Sequence, residues 1–103
     1  MADYIADVKK YDATASEEVV GKIVKHLGVA LRRRDSSVVS CSDPKELERV
    51  KKSWCGKKLG VRDDVKVDRI LELVCQTMAA DNSKSRVTFY YLTAKHLEKL
   101  AEL

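Results

Sequence analysis

Apolar residues recur at helical spacing along most of this chain of 103 residues. Between residues 3 and 11, Tyr4, Val8 and Tyr11 fall on one face of a short helix. The next stripe is wider and marks the strongest helix in the first half of the chain; its members are Val19, Val20, Ile23, Val24, Leu27 and Leu31. The pattern therefore predicts two helices before residue 35.

Polar signals mark the expected start of the second helix. Thr14 and Glu17 have the spacing of a capping box, in which the hydroxyl accepts from a free backbone N–H and the glutamate reaches back. Gly21 and Gly28 lie seven residues apart near one side of this helix, where a missing side chain lets another backbone approach. We interpret both glycines as packing notches, with Gly28 also a candidate kink. We expect the helix to continue to Asp35.

The third helix has a specific start signal. Asp43 is expected at the N-cap, with Pro44 at the first helical position and Glu46 closing a capping box. The apolar residues that follow at helical spacing are Leu47, Val50 and Trp54. Either Gly56 or Gly60 can supply a left-handed residue at the end of this helix.

The fourth helix is expected to open at Asp63 and Asp64. Its apolar stripe contains Val67, Ile70, Leu71, Val74, Cys75 and Met78, and its other face is charged. Residues 86–93 are rich in β-branched and aromatic side chains, which favour a strand. The run continues to Ala101 without a turn signal, and a lone strand would lack a partner, so we interpret it as a fifth helix.

Together these elements predict an all-α fold, a single compact domain of about five short helices over residues 1–103. The predicted core contains Val24, Leu27, Leu31, Leu47, Trp54, Ile70, Leu71, Val74, Phe89, Tyr90 and Leu97. Hydrophobic residues make up 45% of the chain and charged residues 35%, which is too apolar for a disordered protein. The length excludes a two-domain enzyme and leaves little interior for a deep substrate cleft.

The first residues of the chain and the length of its apolar runs indicate the compartment. The start of the chain carries acidic residues where a signal peptide has a basic and then an apolar run. No apolar run is long enough to span a membrane. We therefore expect a cytoplasmic protein without a membrane partner.

Positive charge is concentrated in the middle of the chain. Residues 32–62 contain ten basic and four acidic residues, a net charge of +6, while the remainder carries −2. A solvated helix face is the simpler interpretation, and contact with a polyanion is the alternative. The candidate polyanion contacts are Arg32, Arg33, Arg34, Arg49, Lys52, Lys57 and Lys58. In that alternative Tyr90 or Tyr91 stacks on a base, although two adjacent tyrosines on a helix are more simply core residues.

The cysteines and histidines do not form a recognisable site. Cys41, Cys55, Cys75 and the two histidines lack metal-ligand spacing, and no nucleophile with a matching base stands out. We therefore predict no metal, no cofactor and no enzymatic activity. Three sparse cysteines do not make a disulfide framework, so we expect Cys75 in the core as a small apolar residue. A reactive Cys55, its thiolate favoured by neighbouring lysines, is the alternative.

Several blocks of the sequence carry a family resemblance. They are Tyr4–Tyr11, Val24–Leu31, Asp35–Pro44, Trp54–Gly60 and Lys84–Leu92. These blocks resemble a family of small bacterial proteins known as domain of unknown function 2853, and the likeness covers nearly the whole chain. It departs at residues 62–66 and after Leu92, so His96 inherits no role. The resemblance implies a bacterial cytosolic protein and supplies no activity, substrate or catalytic residue.

Function is therefore predicted from the surface rather than from a motif. We expect a non-catalytic interaction module that binds a protein partner or a second copy of itself through an exposed helical face. An RNA- or DNA-binding protein that uses residues 32–62 is the alternative. An enzyme with Cys55 or His26 in a shallow site is the third hypothesis.

Overall fold

Five α-helices dominate the computed structural model, which describes residues 4–28, 31, 38–81 and 84–100. They are α1 (Tyr4–Lys9), α2 (Glu17–Leu27), α3 (Pro44–Arg49), α4 (Asp64–Thr77) and α5 (Arg86–His96). A π-helical segment, Val50–Lys58, continues α3 without a break. Two short strands, β1 (Val38–Val39) and β2 (Lys84–Ser85), pair antiparallel. The predicted all-α fold is confirmed.

Helix α5 runs through the centre of the molecule. Every residue from Arg86 to Ala94 is buried, and α1, α2, α4 and the π-helical segment pack around it. Trp54 of that segment donates its indole N–H to the carbonyl of Tyr90 over 3.1 Å, and the two rings stack with centroids 4.7 Å apart. A helix enclosed on all sides needs no polar face, which explains why residues 86–93 lack a clear helical pattern.

Two of the predicted helix starts are confirmed. The carboxylate of Asp43 accepts from the backbone N–H of Lys45 over 3.0 Å, and Pro44 occupies the first turn. The carboxylate of Asp63 accepts from the backbone N–H of Lys66 over 3.1 Å. Each aspartate satisfies a backbone donor that has no partner within its helix.

The start of α2 differs from the prediction. Its N-cap is Ser16, whose hydroxyl accepts from the backbone N–H of Glu18 over 3.2 Å. Thr14 instead donates both its hydroxyl and its backbone N–H to the carboxylate of Asp12. The capping box of Thr14 and Glu17 is therefore wrong, because the threonine belongs to the turn that leaves α1.

Glu46 also departs from its predicted role. Its carboxylate pairs with the guanidinium of Arg86, a side chain that is 4% exposed. Arg86 further donates to the carbonyl of Val38 over 3.0 Å and to the hydroxyl of Tyr90 over 3.3 Å. A buried cation requires such partners, since an unpaired one is strongly destabilising. These bonds tie α3 and β1 to α5.

The glycines of α2 do not act as packing notches. A Cβ at Gly21 would meet no atom within 4 Å, so no backbone approaches it. Gly28 has a φ of +46° and ends the helix, a conformation that residues with a Cβ rarely adopt. The helix therefore ends at Leu27 and not at Asp35 as predicted, and residues 29, 30 and 32–35 lie outside the described part of the chain. At the end of the π-helical segment, Gly60 supplies the left-handed residue with a φ of +70°.

Most of the predicted core is confirmed. Seven of its members are buried: Trp54, Ile70, Leu71, Val74, Phe89, Tyr90 and Leu97. Four members of the prediction, Val24, Leu27, Leu31 and Leu47, are only partly buried and pack at the margin of the core. The short α2 explains part of this result, since its apolar stripe does not extend as far as expected.

Candidate functional site

A cationic groove lies where the π-helical segment meets the start of α4. Its cavity of about 330 Å³ is lined by Glu48, Lys51, Lys52, Gly56, Lys57, Val61, Arg62 and Asp64. Four basic and two acidic side chains therefore surround it. Lys57 and Arg62 form no ion pair with another residue in the described part of the chain, so their charges are available to a ligand.

An apolar groove adjoins the cationic groove. Its cavity of about 350 Å³ is lined by Cys41, Pro44, Leu47, Glu48, Lys51, Asp68, Leu71, Glu72 and Cys75. Both grooves are lined by Glu48 and Lys51, so they lie side by side and meet at these two residues. A ligand lying across it would meet aliphatic carbon and sulfur at one end and positive charge at the other.

Ion pairs hold the basic residues at the junction of the two grooves. Lys51 lies 3.1 Å from Asp68 and 3.7 Å from Asp64, which binds the π-helical segment to α4. The nearby carboxylates raise the pKa of Lys51, with the hydrogen bond to Asp68 as the largest cause. Lys52 pairs with Glu48 at 3.4 Å along its own helix. Contacts of this exposed kind stabilise little by themselves, but they position the ammonium groups.

The structure brings together part of the predicted polyanion set. Lys52 and Lys57 line the cationic groove. Arg49 pairs with Glu46 at 3.8 Å, and Lys58 lies near His26, whose pKa is lowered first by burial and then by this lysine. Arg32, Arg33 and Arg34 lie outside the described residues. Lys51 and Arg62 also line this groove, although they were not among the candidate polyanion contacts predicted from the sequence.

The interpretation of Tyr90 and Tyr91 as core residues is confirmed, and the alternative in which one of them stacks on a nucleic-acid base is wrong. Tyr90 and Tyr91 are 4% and 3% exposed. Tyr90 stacks on Trp54, and Tyr91 donates its hydroxyl to the carboxylate of Asp12. Neither ring has a free face on the surface, because α5 is enclosed by other helices.

The cysteines also differ from expectation. Cys41 and Cys75 form a disulfide whose Cα atoms are 6.0 Å apart, although 34 positions separate them in sequence. Cys75 is therefore not a core thiol: it lies at the margin of the core, and the turn before α3 brings Cys41 against it. Sequence spacing did not reveal this pair, because the tertiary fold brings the turn before α3 close to the end of α4.

Cys55 is not positioned as a reactive thiol. It is fully buried, and burial raises the pKa of its thiol to about 11. A thiolate is the nucleophilic form, and a buried apolar setting disfavours it. The structure therefore contradicts the reactive Cys55 alternative, because this residue is buried, whereas Lys52, Lys57 and Lys58 are exposed.

The described residues also bear on metal binding and membrane insertion. No cluster of three or more histidine, cysteine, aspartate or glutamate side chains suited to holding a metal ion occurs among residues 4–28, 31, 38–81 and 84–100. Among the helices within those ranges, none combines the length and apolar character that a membrane crossing requires.

The chain matches the model of a protein family. The model of a family described as "Protein of unknown function (DUF2853)" matches residues 3–101. No curated protein matches the sequence. The family match agrees with the resemblance read from the sequence blocks, and it covers both grooves.

Proposed function

This chain belongs to the DUF2853 family of proteins of unknown function, and we propose that the protein is a non-catalytic interaction module. Its partner in this proposal is a protein segment that carries apolar side chains followed by acidic ones. The observation that carries the proposal is that the apolar and cationic grooves lie side by side and share Glu48 and Lys51 in their lining. The non-catalytic part is supported by the burial of Cys55, which removes one candidate nucleophile.

Each half of the surface selects a different feature of the partner. Pro44 is exposed and Leu47 is half-buried, so they offer carbon surface on which apolar side chains of a partner would leave water. Lys57 and Arg62 offer donors to carboxylates at the other end. Shape and hydrophobic burial would then give affinity, while charge would set the direction of the bound segment.

Fluorescence anisotropy with a designed probe tests this proposal. The probe is a labelled peptide in which a leucine-rich half precedes a glutamate-rich half, and its matched control carries lysines in place of the glutamates. We expect the acidic probe to bind the oxidised full chain at least about tenfold more tightly, since paired charges contribute on the order of 1 kcal/mol each at low salt. Equal affinity for both peptides, or none for either, would contradict the proposal.

Charge-reversal variants locate the binding site. Lys57→Glu and Arg62→Glu are expected to remove the preference for the acidic probe, because both side chains line the cationic groove. Lys25→Glu is the matched control, since Lys25 is exposed on α2 and lines neither groove. Sedimentation of the same variants distinguishes self-association: a dimer that dissociates in Lys57→Glu would identify a second copy of the chain as the occupant.

Nucleic acid is the second candidate ligand. The cationic groove favours it, whereas Glu48, Asp64 and the buried tyrosines weaken it. A labelled single-stranded oligonucleotide titrated at two salt concentrations separates the candidates, because each phosphate neutralised changes the slope of log K against log salt by about 0.7. A measurable affinity with a slope that Lys57→Glu reduces would favour nucleic acid over a peptide.

The compartment belongs to the same proposal. The family resemblance implies a bacterial cytosolic protein, and we retain that location as a prediction. A reducing thiol pool would then surround the Cys41–Cys75 disulfide.

A further inference from the structure

The Cys41–Cys75 disulfide forms part of the wall of the apolar groove. Cys41 lies in the turn between β1 and α3, and Cys75 lies near the end of α4. Both residues are half-buried, and both line the 350 Å³ cavity. Exchange at a disulfide requires that a thiolate reach one of its sulfur atoms. A cavity of this size beside the bond admits a small thiol without unfolding of the chain.

Acidic side chains dominate the surroundings of the bond. Glu48, Asp68 and Glu72 line the same groove, against the single cation Lys51. The ammonium group of Lys51 already lies 3.1 Å from Asp68. The charged side chains that line the apolar groove are therefore net negative, which repels an anionic thiol inside the groove and attracts a cationic one at low ionic strength.

We propose that the Cys41–Cys75 disulfide is a thiol-exchange site that accepts small cationic aminothiols in preference to anionic thiols. In the first step the thiolate of the aminothiol bonds to one sulfur, the protein S–S bond breaks, and the other cysteine leaves as a thiolate that takes a proton from water. A second aminothiol then attacks the mixed disulfide. The two aminothiols leave as their own disulfide, and the protein gains two electrons and two protons.

Reduction changes the grooves rather than the core. The loop closed by the disulfide contains α3, the π-helical segment and most of α4, and every residue that lines either groove lies within it or at its ends. Val67 and Val74 of α4 are buried in the core, so we expect α4 to stay packed when the bond is reduced. The effect of reduction on peptide binding rests on the proposed function, whereas thiol exchange itself does not depend on it.

Rates of reduction of the oxidised full chain test the proposal. Cysteamine, 2-mercaptoethanol and 2-mercaptoethanesulfonate are compared at equal thiolate concentration, and the free thiols are alkylated and located by mass spectrometry. We expect cysteamine to reduce Cys41 and Cys75 about three- to tenfold faster than the sulfonate at low salt, with the difference shrinking in high salt. Cys55, which is buried, should stay unalkylated and so report that the chain remains folded.

Charge-neutralising variants provide the matched comparison. The double variant Glu48→Gln with Glu72→Gln should bring the cysteamine-to-sulfonate ratio towards one, while Glu17→Gln, an exposed acid that lines neither groove, should preserve it. Equal rates for the three thiols would overturn the proposal. Alkylation of Cys55 in step with Cys41 and Cys75 would overturn it as well, because exchange would then require unfolding. Absence of the disulfide from the air-oxidised chain would also overturn the proposal.

Discussion

The hydroxyl of Tyr91 donates a 2.7 Å hydrogen bond to the carboxylate of Asp12, joining residues 79 positions apart. Thr14 donates to the same carboxylate, and the ammonium group of Lys95 lies 3.1 Å from it. Asp12 follows α1 and Tyr91 lies in α5, so one buried carboxylate fixes the first turn of the molecule to its central helix. These contacts satisfy an acid that would otherwise be costly to bury.

Tyr91→Phe should destabilise the fold by about 1.5 to 3 kcal/mol, the usual range for a hydrogen bond to a charged group. The phenyl ring keeps its packing, so the loss reports the missing donor to Asp12. Urea unfolding followed by circular dichroism measures the difference. Tyr4→Phe, at the margin of the core, is the control, and equal losses in the two variants would show that the bond to Asp12 contributes nothing particular.

Asp12 should also make the free energy of unfolding depend on pH in the acidic range. Hydrogen bonds from Thr14 and then Tyr91 lower its pKa well below the ordinary value. Such a group contributes stability that is fully present above its pKa in the unfolded chain, about 3.9, and that is lost as the pH falls towards its folded value.

Asp12→Asn tests this dependence. We expect the variant to be less stable than the parent at pH 7 and to lose less further stability between about pH 5 and pH 2. Free energies of unfolding from urea titrations at each pH give the comparison. Glu17→Gln, which removes an exposed carboxylate, controls for the change in net charge. An unchanged slope in Asp12→Asn would mean that another acid governs the acid response.

Two glycines of α2 should respond in opposite directions to alanine. Gly21→Ala should stabilise the protein by about 0.5 to 1 kcal/mol, since alanine favours the helix and its Cβ would meet no atom within 4 Å. Gly28→Ala should destabilise it by about 1 kcal/mol, because φ is +46° there. Thermal melts of the two alanine variants measure both changes in stability. A lower stability of Gly21→Ala than of the parent would indicate that Gly21 is a packing notch.

The start of α3 gives a prediction based on local structure alone. Asp43→Ala should cost about 0.5 to 2 kcal/mol, because it leaves the backbone N–H of Lys45 without its acceptor. Asp43→Asn should cost less, since the amide oxygen still accepts and the attraction to the helix dipole is worth only about 0.3 to 1 kcal/mol. Equal losses in denaturant melts of the two variants would contradict the assigned cap.

The parts of the fold that sequence predicted are those set by neighbouring residues. Asp43 and Asp63 cap helices because of the residues that directly follow them, so their roles were visible in the sequence. The Arg86–Glu46 pair and the Cys41–Cys75 bond depend on how distant segments pack, and no periodicity encodes that. Similarly, charge counting found Lys52 and Lys57, while the apolar groove required the placement of α4 against α3.

The π-helical segment is a further feature without a sequence signal. Its wider turns are shown by the N–H of Leu59, which donates to the carbonyl of Trp54 five residues earlier over 2.9 Å. The apolar positions Val50 and Trp54 fit an α-helix equally well, so spacing alone predicted only a helix. The segment carries Lys51, Lys52 and Lys57 into the cationic groove.

Chemical-shift mapping of the labelled full chain with the leucine- and glutamate-rich peptide tests the interaction module most directly. We expect saturable shifts in the backbone amides of residues that line the two grooves, including Leu47, Lys57 and Arg62, with smaller shifts in α1. The same titration with the lysine-rich peptide should leave the cationic groove unshifted. Shifts of equal size across the whole surface, or confined to residues outside both grooves, would contradict the account.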